Sequence, residues 1–105
     1  MNPSEVLTEL RRRIEKIGWV KHEMFGRGGQ CCVMGHMMNI EHDGFAKAEL
    51  CVQAEEALAA VIDGDNSGIR RTDIITTTND RMRHKGDVLT WIDDAIASLG
   101  GPRAE

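Results

Sequence analysis

Leu7, Leu10, Ile14 and Ile17 fall at steps of three and four residues, which lays one apolar stripe along a helix. Arg11, Arg12, Arg13, Glu15 and Lys16 lie off that stripe. The start of this helix is marked as well: Asn2 suits the cap, Pro3 the first helical position, and Glu5 the far side of a capping box. Gly18 supplies a stop. A helix with one apolar stripe must bury it against other elements, so the rest of the chain has to provide matching faces.

Two later segments do so. From about Phe45 to Ile62, Leu50, Ala54, Leu58 and Val61 form a second stripe, with Cys51 and Ile62 beside it. From about Gly86 to Leu99, Val88, Ile92, Ala95 and Leu99 form a third, closed by Gly100, Gly101 and Pro102. Cys31 to Met38 reads as a short buried helix and Ile40 to Gly44 as a turn. Thr72 to Thr78 is ambiguous, because Ile74, Ile75 and the Thr run suit a strand as well as a helix. Asn79 to Lys85 reads as a charged connection. Trp19 to Gln30 is irregular, broken by Gly26, Gly28 and Gly29, with room for a small β-hairpin that faces Val20 and Phe25 inward. The expected fold is mainly α: a compact bundle of four or five helices in a single domain spanning residues 1–105, with that hairpin after helix one as an option.

Composition narrows the class. Aromatics are only 4%, with no Tyr, so the core rests on Leu, Ile, Val, Ala and Met. The formal charge of -4 speaks against a nucleic-acid binder with a basic surface. No apolar run approaches the roughly 20 residues of a membrane span. The first residues lack the basic and apolar regions of a signal peptide, so a cytoplasmic location is expected. Three Cys cannot form a complete disulfide framework, and a reducing compartment fits them.

The segment Cys31-Cys32-Val33-Met34-Gly35-His36-Met37-Met38 concentrates chemically versatile side chains. Cys32 and His36 are four apart, on one helical face. With Cys31, Cys51 or His42 they offer soft and borderline ligands to Zn or Cu(I), although the paired Cys spacing of a structural zinc site is missing. Buried packing explains Cys and Met here without any metal. A Cys at a helix start also feels the positive end of the helix dipole, which favours thiolate. Cys32 is thus a candidate nucleophile, with His84 or His36 as base and Asp80 or Asn79 to orient it.

Two polar stretches remain. Asp63-Gly64-Asp65-Asn66-Ser67-Gly68 begins like a calcium loop, but Ile74 stands where the bidentate Glu belongs, which favours an ordinary polar loop. Arg70, Arg71, Arg81, Arg83, His84 and Lys85 form the densest basic cluster. With the start of the last helix they could receive a phosphate or another anion, and Asn79, Asp80, Arg81, Arg83, His84 and Lys85 are the residues expected to bind a ligand. A solvated charged connection has the same composition.

Three short motifs point further. Gly18-Trp19 closes the first helix, Cys32-Val33-Met34-Gly35 opens a short one, and Asn79-Asp80-Arg81 precedes the last. In order and separation they resemble a group of small proteins of actinobacteria and their phages, a domain of unknown function. That group carries Gly-Trp, then Trp-Cys-x-x-Gly-Ala, then Trp-Asn-Asp. Here Cys31 and Thr78 stand where that pattern has Trp, and His36 where it has Ala. The resemblance implies a phage or actinobacterial accessory protein and supplies no reaction. Gly35 in it suits close approach of another helix, with Asn79 and Asp80 ending one element and capping the next.

The function expected is a binding or interaction module without a cofactor. Its partner would be a protein or an anionic small ligand; a membrane is not expected, nucleic acid is disfavoured and a homo-oligomer is open. A Cys-dependent hydrolase or transferase centred on Cys32 and a metal-stabilised small domain are the alternatives.

Overall fold

The structure is a computed structural model, and it describes residues 1–64 and 68–100. The described residues contain five α-helices: α1 Pro3–Lys16, α2 Val33–His42, α3 Ala48–Asp63, α4 Arg71–Arg81 and α5 Lys85–Ser98. The protein is a mainly α bundle, as the apolar stripes require. Helix α3 packs on α4 and α5, α1 packs on α5, α3 and α2, and α2 also meets α4. Leu7, Leu10, Ile14, Leu58, Ile75 and Ile92 are fully enclosed in the shared core.

The capping box of α1 forms in full. The Asn2 side chain accepts from Glu5 N at 2.9 Å, and Asn2 N donates to Glu5 Oε1 at 3.0 Å. The helix ends one residue before Ile17, which caps it and is 43% exposed rather than inward. Val6 takes its share of the core from the preceding turn, so the buried stripe is wider than the pattern of threes and fours implied.

Charged residues tie the helices at their edges. Arg11 donates from Nε to Asp93 Oδ1 at 2.8 Å, joining α1 to α5, and Arg71 reaches Glu55 at 3.0 Å, joining α4 to α3. Arg12 and Arg13 both hold Glu9 at 2.7 Å, and Arg13 continues to Asp43 at 2.8 Å. Hydrogen bonding from Arg12, opposed by partial burial and aided by Arg13, lowers the Glu9 carboxyl to about 2.

Three expectations need correction. Helix α2 runs on through Ile40, Glu41 and His42, which the sequence reads as part of a turn. The Thr segment, which suits either strand or helix, is helical, and α4 extends through Asn79, Asp80 and Arg81, where the sequence pattern reads as a connection. Burial of Ile74, Ile75 and Asn79 on one face of α4 outweighs the strand preference of Thr. The optional hairpin is absent among the described residues. Residues 18–32 instead make isolated bridges, Trp19 to Cys31 and Phe25 to Cys31, around a single 3₁₀ turn at Arg27–Gly29. Gly28 and Gly29 take φ of +66° and +83° there, which breaks any ladder. Residues Asp65, Asn66 and Ser67 of the calcium-like loop lie outside the described residues, as do Gly101 and Pro102.

Candidate functional site

The three short motifs meet in space. Asn79, on the last turn of α4, has no exposed surface. Its Oδ1 accepts from the Trp19 indole N–H at 2.7 Å and from the Val33 backbone N–H at 3.0 Å. Its Nδ2 donates to the Val20 carbonyl at 3.3 Å and to Asp80 Oδ1 at 3.2 Å. One side chain thus joins α4, the start of the 18–32 loop and the first residue of α2. Val33 N–H has no acceptor inside its own helix, so Asn79 supplies one at a helix start.

Asp80 extends the same network outward. Its Oδ1 also accepts from His22 N–H at 2.8 Å, and its Oδ2 lies 3.8 Å from His22 Nδ1. His22 has φ +68°, a left-handed conformation uncommon for a residue with a side chain, and the Asp80 contact holds it there. Beyond His22 the loop crosses the start of α2, where Cys32 N–H donates to the Met24 carbonyl at 3.0 Å. Gly35 is what allows this crossing: a Cβ at that position would stand 2.3 Å from the Met24 oxygen and 3.0 Å from Cys31 Cβ.

Cys32 caps α2, its Sγ accepting from Gly35 N–H at 3.3 Å in the way a Ser hydroxyl would. Yet it is only 5% exposed. Burial pushes its thiol up, against the pull of the Gly35 and Met34 amides, and the nearby Asp80 carboxylate adds to the rise. Burial raises the Cys31 and Cys51 thiols too. These are the reverse of the conditions that activate a nucleophilic Cys. His84, the proposed base, is an exposed residue whose backbone N–H donates to Asp87 Oδ2 at 3.2 Å at the start of α5.

The metal alternative fares no better. Cys31 Sγ faces the Gly29 carbonyl at 3.3 Å and Asn39 Nδ2 at 3.5 Å, while Cys51 lies on α3 near the Ala46 carbonyl. His36 is 1% exposed, its Nε2 donating to the Gly18 carbonyl at 2.7 Å. Burial lowers its pKa, against the pull of that carbonyl, and Arg13 lowers it further. His42 is at the exposed end of α2. Among the described residues no group of three His, Cys, Asp or Glu side chains is placed to hold a metal ion. The buried Met34 and Met37 are core filling, and Met38 is 47% exposed.

The expected basic cluster divides. Arg70 pairs with Asp73 and Arg71 with Glu55 at the start of α4, while Arg81, Arg83, His84 and Lys85 are exposed around its other end. Sequence reasoning grouped Asn79 with these cations, but its enclosed amide serves the protein itself. It also missed that Phe25 is 53% and Met24 40% exposed. The three glycines around them were the available signal, since a segment so broken offers few side chains to a core.

The fold and the site together define a small helical domain in which an irregular, outward-facing loop is pinned to two helix ends by buried polar groups. The chain belongs to a family of unknown function, DUF6197, whose model matches residues 1–98. No curated protein and no solved structure matches it. No helix among the described residues is long and apolar enough to cross a membrane.

Proposed function

We propose that this protein is a non-catalytic binding module, and that the loop from Trp19 to Gln30 is the surface it offers to a partner. The observation that carries this is the exposure of Met24 and Phe25 on a backbone fixed by Asn79, Asp80 and Cys32. Phe25 is one of only two Phe in a chain poor in aromatics, and it is held outside the core. A rigid loop with apolar tips binds at low entropic cost, because it is ordered before the partner arrives. By the resemblance of its motifs, the protein is an accessory protein of an actinobacterium or its phage. It acts in the cytoplasm, which is the host's if a phage encodes it, and folds as one domain.

Matched baits test the proposal. The whole protein and its Met24→Ser/Phe25→Ser variant, shown to have equal helicity, are presented to an actinobacterial lysate. The proposal expects a partner recovered by the first and lost by the second. Recovery of the same set by both, or of none by either, overturns it. Self-association sensitive to the same two residues would identify the partner as a second copy.

A further inference from the structure

The loop that carries Met24 and Phe25 begins beside a group of cations without carboxylate partners. Lys21 Nζ donates to the Met82 carbonyl at 3.1 Å, and His22 N–H to Asp80 at 2.8 Å. These contacts lay the start of the loop against the junction of α4 and α5, where Arg81, Arg83 and Lys85 are exposed. Arg27 follows Phe25 by two positions on the loop itself.

The distribution of arginine partners is uneven. Arg11, Arg12, Arg13, Arg70 and Arg71 each pair with a carboxylate. Among the described residues, Arg27, Arg81 and Arg83 have no such partner, and neither does Lys85. The chain has 17 acidic against 13 basic residues, so carboxylates are plentiful. Among the described residues, the arginines left without one all lie on the loop or at the helix junction it touches.

We infer that this face docks an acidic protein segment with apolar anchors, whose apolar side chains meet Met24 and Phe25 and whose carboxylates meet Arg27, Arg81, Arg83 and Lys85. The inference rests on the loop being the binding surface, as proposed above, and adds the chemistry of the partner. Guanidinium groups suit carboxylates because they can donate two parallel hydrogen bonds. A nucleic-acid strand is the poorer occupant. Phe25 offers one exposed ring for stacking, where a strand needs a platform for successive bases.

Fluorescence anisotropy with defined probes decides it. The probes are a labelled peptide of Asp, Glu, Leu and Phe, the same peptide with Ser for its apolar residues, its Lys-for-acid counterpart, and a single-stranded oligonucleotide of equal charge. The first should bind at least about tenfold more tightly than the other three, and added salt should weaken it. R81E/R83E/K85E and M24S/F25S should each lose about tenfold or more of that binding. Equal or tighter binding of the oligonucleotide, of the Ser peptide or of the Lys peptide overturns the inference, as does indifference to the charge reversals. A lysate partner captured through Met24 and Phe25 but insensitive to R81E/R83E/K85E would leave the binding module standing and remove only the acidic partner.

Discussion

Replacing Asn79 by Ala removes one oxygen that two donors share and one amide that two acceptors share. The Val33 N–H is then left at a buried helix start without an acceptor. An unsatisfied buried donor costs about 1–3 kcal/mol. The Trp19 indole is half-buried, so water recovers part of its loss. The Val20 carbonyl loses its amide partner, and the Ala leaves a small void among enclosed neighbours. Together these give a destabilisation of about 2–4 kcal/mol. That is a large share of the roughly 5–15 kcal/mol that holds a domain of this size together. Urea unfolding followed by helicity gives the change in midpoint at constant slope. A cycle with Trp19→Phe isolates the indole bond, for which a coupling of about 1 kcal/mol is expected. A loss below about 1 kcal/mol for Asn79→Ala, together with additive single and double variants, would refute the claim that this side chain pins the loop.

Other outcomes follow from the same geometry. Gly35→Ala should cost about 1–3 kcal/mol, because the Met24 carbonyl is backbone and must move; calorimetry showing an unchanged melting temperature would contradict it. Acid should weaken the fold through Glu9. Its folded value of about 2 lies below the 4.5 of an unperturbed carboxyl, so its stabilisation is present above about pH 4.5 and is lost as pH falls toward 2. After discount for solvent screening it is worth about 1–2 kcal/mol, and Glu9→Gln should flatten the stability–pH curve over that interval. The three thiols should react with iodoacetamide slowly in the native protein, with rates rising only toward alkaline pH; fast alkylation of Cys32 at neutral pH would restore the nucleophile alternative.

Local signals in the sequence carried much of the fold. The cap and stripe of α1 depend on residues within one or two turns of each other, and so do Val88, Ile92 and Ala95 of α5, whereas Leu99, the last position of that stripe, falls past the helix and is exposed. Where a residue's fate depends on distant partners, the pattern failed. The Thr run of α4 takes its conformation from the buried side of Ile74, Ile75 and Asn79, which no local propensity reports. Ile17 fits the spacing of its helix but falls just past the last turn.

The candidate site divides along the same line. Gly35 was expected to permit a close approach, and a loop rather than a helix makes it. Asn79 looked like a surface ligand because it stands between polar and charged neighbours in the chain. Its partners, Val33 and Trp19, are 46 and 60 residues away, and only the fold brings them together. Cys32 was read correctly as the start of a helix. The dipole argument for its activation fails because burial in the completed core outweighs the local effect.

The central claim is that a buried polar network holds residues 18–32 rigid so that their outer side chains can bind. Amide hydrogen exchange of the unmodified protein tests it most directly. The N–H groups of Val20, His22, Gly26, Cys32 and Val33 donate to Cys31, Asp80, Gln30, Met24 and Asn79 respectively. They should exchange about as slowly as amides in the middle of α4, orders of magnitude below unprotected rates. Exchange of these loop amides at the rate of an unstructured chain, while α4 stays protected, would contradict the account.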